Sequence, residues 1–434
     1  MTSRCSRWTV VRRSAPYALA SLAILVACSG EGSSPGSDAT TRLLPDGGPA
    51  GSSGASSGGS SSGTSGGSTE DTTGVFIDAG PPAVDFIGRF DRRAAERPIC
   101  GWPGCRILAR FEGTSVSVTL EERAEDWMDG TPSEWDVSID DAAPKKLVLK
   151  AGVQTYPLAK DLAAGAHQVE LYKRNEGQTG FTQFRGFDLG GGKLLSPPAK
   201  SVRHVEIVGD SAAAGFGVEG VGQPDNDCPG LDYGASWQNF RKSFGAVLGQ
   251  TLRAELHGTV YSGKGVVKNV WRPDTETLPK IYGRANPMDS TSAWDFSWKA
   301  GVVIVMIGGN DFAEGQPDES NGGGPATASS FTAGYRDLVK MLREKHPDAH
   351  LFLSTSPSVK DSDPAGRNTR TNILAATETV TKERNAAGDA KVYAFHPAVA
   401  TAQELTGCNG HGTPQFHTRV AAEYATIVKQ KAGW

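Results

Sequence analysis

Between Gly301 and Gly308 the chain reads Val302-Val303-Ile304-Val305-Met306-Ile307, six apolar residues without a polar break. A strand with one wet face would alternate, so this run is predicted to be buried on both faces. Such a strand belongs in a parallel sheet with helices packed on either side. The surrounding pattern supplies the rest of that sheet. Residues 202–208 form a short apolar strand leading into Gly209-Asp210-Ser211, and a second strand ends near Tyr261-Ser262-Gly263. Further strands are expected over 350–354 and 391–395, and helices over 236–252, 329–345, 369–386 and 414–431. Residues 200–434 therefore read as a three-layer α/β/α domain, whose active site would lie at the carboxyl ends of the strands.

Upstream the rhythm changes. Arg106-Ile107-Leu108-Ala109-Arg110-Phe111, Ser115-Val116-Ser117-Val118-Thr119-Leu120, Trp135-Asp136-Val137-Ser138-Ile139 and His167-Gln168-Val169-Glu170-Leu171 are short alternating runs. Turn residues break them about every ten positions, so 84–195 is predicted to be an antiparallel β-sandwich. The expected class is α/β: a sandwich followed by the parallel-sheet domain.

The N-terminus reads as an address. Arg4, Arg7, Arg12 and Arg13 precede an apolar run from Tyr17 to Ala27 that Cys28 closes. This is the layout of an export signal over 1–28, too short for a comfortable membrane span. Leu25-Val26-Ala27-Cys28 resembles a bacterial lipobox, which would make Cys28 the lipidated residue. Residues 29–80 are polar, and between 51 and 68 only Ala55 and Thr64 interrupt Gly and Ser. Such a segment cannot bury enough apolar surface to fold. As a flexible leash it would reach roughly 35–40 Å. Export predicts disulfides. Cys5 would leave with the signal, and Cys100, Cys105, Cys228 and Cys408 remain. Cys100-Gly-Trp-Pro-Gly-Cys105 can close on itself, which leaves Cys228 for Cys408. The cysteines and histidines lack zinc spacing, so no metal is expected. With 44 basic and 48 acidic side chains there is no basic excess to neutralise phosphates, and nucleic acid is not an expected partner.

The chemistry-bearing residues sit at strand ends. Ser211 follows the first strand, Gly263 and Gly265 the second, and Gly308-Gly309-Asn310-Asp311 the run described above; His411 and His417 precede the last helix. A serine that attacks a carbonyl needs a base, usually histidine. It also needs donors for the oxyanion, which asparagine and backbone N–H groups supply. Asp210 and Asp311 are expected to fix turns. The histidines at 167, 204, 257, 346, 350 and 396 are expected to be structural.

This arrangement resembles the SGNH (GDSL-type) hydrolase superfamily. The resemblance implies Ser211 as nucleophile and His411 as base. It implies an oxyanion hole of Ser211, Gly263 (Gly265 as alternative) and Asn310. Ile87-Gly88-Arg89-Phe90, the Ala109–Thr114 and His167–Arg174 stretches, Ser262-Gly263-Lys264-Gly265, Asn269, Leu278-Pro279 and Tyr282 narrow it. They look like carbohydrate esterase family 2, in which a small jelly roll precedes the hydrolase domain. That resemblance implies a serine esterase removing O-acetyl groups from acetylated xylan or mannan, without a cofactor. One departure stands out. Where family members show Asp-Trp-His-Pro, this chain has Asn409-Gly410-His411-Gly412, so Asn409 would take the third catalytic place unless a backbone carbonyl orients the ring. Trp271 and Trp298 are candidates for stacking on sugar, with Trp294, Tyr233 and Trp237 behind them. The alternatives are a lipase or thioesterase of the same superfamily, or a non-catalytic carbohydrate-binding lipoprotein. The chain is expected to be an exported monomer that touches membrane only through its N-terminal lipid.

Overall fold

The protein, as a computed structural model, is described over residues 76–77, 80–81, 83–124, 132–140, 142–221, 228, 235–271, 274–313 and 324–434. The chain divides into two units, Met1–Gly67 and Ser68–Trp434. The expected signal segment, Cys28, residues 29–75 of the leash and Tyr233 lie outside the described residues; near the end of the expected leash, Phe76–Ile77 instead pairs antiparallel with Lys200–Ser201. Among those residues no helix is long and apolar enough to cross a membrane, and no group of three His, Cys, Asp or Glu could hold a metal.

The alternating runs fold into two antiparallel sheets. One is built around Arg106–Gly113, Gly165–Lys173 and Glu134–Ile139. The other is built around Val116–Ala124, Gly180–Asp188 and Gly152–Ala159. Their inward positions, among them Ile107, Ala109, Phe111, Val118, Leu120, Trp135, Val169 and Leu171, form one core. Period-two alternation aims them all at the same interior.

The second half is a five-stranded parallel sheet. Its strands are β1 (His204–Gly209), β2 (Glu255–Val260), β3 (Val302–Met306), β4 (His350–Ser354) and β5 (Val392–Ala394). Their spatial order is β2-β1-β3-β4-β5. β3 is central and every one of its residues is buried, as its unbroken apolar run demands. Alternate side chains of β1 and β3 feed two separate cores. Val208, Val303 and Val305 pack with helices α3 (Ala328–Lys345) and α4 (Thr369–Ala386). Val205, Ile207, Ile304 and Met306 pack with α2 (Phe244–Thr251) and α5 (Pro414–Ala432). The order reverses at β1, and the crevice there is the usual place for a ligand in a doubly wound sheet.

One expected helix is divided. In place of a helix from 236 to 252, two single turns, Ala235–Trp237 and Phe240–Lys242, precede α2. Asn239 and Ser243 are extended, and each side chain caps the turn that follows, at Arg241 N and Ala246 N. These short polar side chains compete with the helical backbone and restart it instead. Phe240 N–H also leaves the helical pattern to bond Arg174 O of the sandwich.

The two halves are joined by buried charge. Arg89, from the sandwich, is 2.6 Å from Glu206 of β1, and both are fully enclosed. Thr259 and Tyr282 hydroxyls donate to the same carboxylate, and His346 Nε2 lies 2.8 Å away. The Arg89 guanidinium also lies over the Tyr282 ring, 4.5 Å from its centroid. Burial would push Glu206 up, but Arg89 and His346 outweigh it and hold the carboxyl well below its usual range. Removing one member of such a pair leaves an uncompensated charge, at about 3–5 kcal/mol. Arg89→Ala should lower stability by that much in urea unfolding; a change under about 1 kcal/mol would mean the seam is not held by this pair.

Candidate active site

Ser211 opens α1 (Ser211–Ala214), a single turn directly after β1. Asp210 makes that turn: its Oδ1 accepts from Ala212 N–H at 3.1 Å, and its carbonyl accepts from Ala213 and Ala214. Asp210 is buried, and burial pushes its carboxyl up to about 7. Its hydrogen bonds are those of a structural cap.

His411 Nε2 lies 2.8 Å from Ser211 Oγ, although 200 residues separate them. The other ring nitrogen, Nδ1, is 3.0 Å from the carbonyl of Cys408. A carbonyl can only accept, so Nδ1 carries the proton and Nε2 presents a lone pair to the serine hydroxyl. Burial lowers the His411 pKa, partly offset by the backbone carbonyls of Cys408 and Asn409. The imidazole is therefore a neutral base near pH 7. Phe216 packs against it, 4.7 Å between ring centroids.

The loop that presents His411 is held from several sides. Cys408 is disulfide-bonded to Cys228, closing a span of 180 residues, and Cys100 pairs with Cys105. Cys408 N–H donates to Gly217 O in the segment after Ser211, and Cys408 O also accepts His411 N–H. Orienting the ring thus falls to the Cys408 backbone. Asn409 is exposed and sits at φ 53°, ψ 39°. Asparagine tolerates this left-handed region better than most residues. The ring nitrogen Nδ1 thus faces the Cys408 carbonyl, the backbone alternative expected above, and the Asn409 carbonyl adds to it. Asn409→Asp should change kcat by less than about tenfold, roughly 1.4 kcal/mol. A thousandfold gain would mean the natural loop lacks a needed carboxylate. His417, six residues on, accepts Phe244 N–H at 3.1 Å. Burial, with the nearby His411, pulls it down to about 3, so it stays neutral and ties α5 to α2.

The oxyanion candidates come from the next two strand ends. Gly263 has φ +78°, a conformation glycine adopts without strain. Gly265 N–H is taken by Asn269 Oδ1 at 3.0 Å, which makes Gly263 the better candidate of the pair. Asn310 lies on a helical turn after β3, and its Nδ2 donates to Lys264 O at 2.9 Å. That bond uses one amide hydrogen and orients the second. Asp311 is buried and accepts three backbone N–H groups, from Val266, Val267 and Lys268. It pins the loop after β2 against the Asn310 turn.

The tryptophans part company. Trp271 follows Val270, whose N–H bonds Gly263 O, and it is 54 % exposed beside the oxyanion turn. Trp298 lies at the opposite end of the sheet. Its ring stacks on His257 at 3.6 Å and on His204 at 4.9 Å, and its Nε1 donates to Glu255. His204 and Glu255 are the first residues of β1 and β2, roughly 20 Å along the strand from Ser211. Trp298 packs the far end of the sheet, which corrects its expected sugar-stacking role.

Sequence reasoning also missed Glu176 and Lys173. Both are buried at the seam, and Glu176 bonds Ser262 beside Gly263. Their only signal was a charged stretch directly after a sandwich strand.

A serine in contact with a histidine, an asparagine turn and a glycine turn at the switch point of a parallel sheet is the layout of the SGNH hydrolase fold. The chain belongs to the GDSL-like lipase/acylhydrolase family, whose family model matches residues 207–426, about half its length. The carbohydrate esterase 2 N-terminal family model matches residues 86–198. The chain is 28 % identical over 359 residues to the cellulase/esterase CelE of Acetivibrio thermocellus, covering 82 % of this chain and 40 % of that one. It is 25 % identical over 283 residues to an acetylxylan esterase / glucomannan deacetylase of Cellvibrio japonicus, covering 64 % and 72 %. A solved family two carbohydrate esterase from Clostridium thermocellum, in complex with cellohexaose, aligns over 81 % of this chain and 100 % of its own. That alignment has a TM-score of 0.71 at 28 % identity.

Proposed function

We propose that this chain is a serine esterase that removes O-acetyl groups from a polysaccharide of the acetylxylan or acetylmannan type through an acyl-enzyme. The observation that carries the reading is the 2.8 Å contact between Ser211 Oγ and His411 Nε2, with the imidazole already in the tautomer of a base. Ser211 Oγ attacks the acetyl carbonyl as its proton passes to Nε2. The Cys408 carbonyl keeps its bond to Nδ1–H and favours the imidazolium that forms. The Ser211 and Gly263 N–H groups and Asn310 Nδ2 receive the oxyanion. His411 then returns the proton to the departing sugar hydroxyl, and water releases acetate by the same route. Exposed Trp271 offers a ring face to a sugar beside the oxyanion turn. The Cys28 lipid anchor and a leash between it and the Phe76–Ile77 strand belong to the same proposal: an exported, envelope-tethered enzyme, acting as a monomer.

Acetate release from acetylated xylan, acetylated mannan and peptidoglycan, alongside nitrophenyl acetate and octanoate, tests this reading. Release from xylan or mannan with a strong preference for acetate is the expected result. Octanoate turned over as fast as acetate would favour a lipase-like enzyme instead.

A further inference from the structure

The Ser262–Gly263 turn carries the candidate oxyanion N–H of Gly263, and one backbone bond closes it, from Lys264 N–H to Tyr261 O. It ends β2 with a glycine at positive φ, where the backbone has the widest freedom. Its neighbours must hold it. Tyr261 N–H bonds Gly209 O, two residues before Ser211, and Gly263 O accepts from Val270. Asn310 Nδ2 holds the next carbonyl, Lys264 O, and a further grip comes from the other domain. Glu176 lies just past the sandwich strand Gly165–Lys173, has 0 % exposure, and spends both carboxylate oxygens on one residue. Its Oε1 accepts the Ser262 hydroxyl at 2.6 Å and its Oε2 accepts the Ser262 N–H. This two-point grip holds the backbone N–H and the side chain of the residue directly before Gly263, which narrows the rotation open to the peptide that follows.

Glu176 is itself held rigidly. Its N–H donates to Gln238 Oε1. Lys173, also fully buried, donates its ammonium to Asn175 O and Glu176 O. Glu122 and Glu176 support the Lys173 charge against burial, which still lowers it to about 8. Burial pushes Glu176 up to about 7 against the Ser262 bonds and Lys173, and Asp210, the cap beside Ser211, is near enough to add to the rise. Gly177 lets this segment approach the second domain: a Cβ there would sit 2.5 Å from Pro287. A buried carboxylate is costly unless fully bonded, and an apolar seam would avoid that cost.

On the esterase reading above, on which this assignment rests, we propose that Glu176 is a positioning residue for the reaction at Ser211. The sandwich domain, through this carboxylate, sets the Ser262–Gly263 turn in the orientation the oxyanion requires.

The test compares wild type, Glu176→Gln, Ser262→Ala and the double variant on nitrophenyl acetate, with circular dichroism and thermal melts. Glutamine offers one acceptor oxygen where glutamate has two, so it either drops a Ser262 donor or makes the hydroxyl turn round to accept from Nε2–H; Glu176→Gln should lose about 10–100-fold in kcat, the scale of a small misplacement, with KM within about threefold. Ser262→Ala keeps the backbone bond and should lose less, again in kcat. The double variant should be no worse than Glu176→Gln alone, because both changes cut one contact. Should Glu176→Gln fail to fold, Ser262→Ala decides, since it leaves every seam charge in place. A folded Glu176→Gln with wild-type kcat, a loss confined to KM, a Ser262→Ala kcat within about twofold of wild type, or losses that multiply in the double variant would each overturn the assignment and leave the esterase reading standing. A wild-type chain no faster than Ser211→Ala would overturn both.

Discussion

Ser211→Ala should reduce kcat on an aryl acetate by about 10⁵–10⁶, roughly 7–8 kcal/mol, while melting within a degree or two of wild type. The size follows from what the hydroxyl does. In the proposed mechanism it is the atom that bonds the acyl carbon, and its proton is the one His411 Nε2 faces. The small stability effect follows from the turn, which is built by Asp210 and by backbone bonds of residues 212–214 rather than by the serine side chain. Residual turnover above water would come from the oxyanion donors alone. Measured single-turnover rates decide the matter. A variant that still releases nitrophenolate at a tenth of the wild-type rate would remove Ser211 as nucleophile and with it the acyl-enzyme.

Asn310→Ala should cost about 10²–10³ in kcat, or roughly 2.7–4 kcal/mol, the usual loss for one preorganised oxyanion donor. The asparagine is preorganised because one of its amide hydrogens is already bonded to Lys264 O, so the ring of contacts from β3 to the loop after β2 exists before substrate arrives. The effect belongs in kcat because the oxyanion is present only in the transition state. A rise in KM with unchanged kcat would mean that Asn310 grips the ground-state substrate instead. The Lys264 carbonyl also loses its partner, so a drop in stability of about 1 kcal/mol should accompany the kinetic loss.

Much of this protein is written in local sequence. The unbroken apolar run 302–307 could only be a strand covered on both faces, and it became the buried centre of the sheet. The helix over 369–386 and the strand over 350–354 fall where periodicity puts them, because each element's burial pattern repeats within a few residues. Ser211, Asn310 and Gly263 were legible because each ends a strand in the same sheet, and parallel strands bring their ends to one edge. The pairing of Cys228 with Cys408 followed from counting.

Only the tertiary structure decided the rest, for a common reason: these relations join residues far apart in the chain and depend on which atom faces which. The strand order β2-β1-β3-β4-β5 depends on packing between helices that sequence periodicity treats alike. That the Cys408 carbonyl orients His411 is a backbone property, and no side-chain pattern encodes it. Trp298 and Trp271 are the same residue type in similar contexts, yet one packs the amino end of the sheet and the other stands in solvent beside the oxyanion turn. Asn239 and Ser243 divided a helix that propensity alone would have continued, because their side chains and Arg174 of the other domain offered the backbone better partners. Arg89 on Glu206 and Glu176 on Ser262 span 117 and 86 residues. A charge whose partner lies in another domain looks, in sequence, like any solvated charge, and only folding takes it out of water.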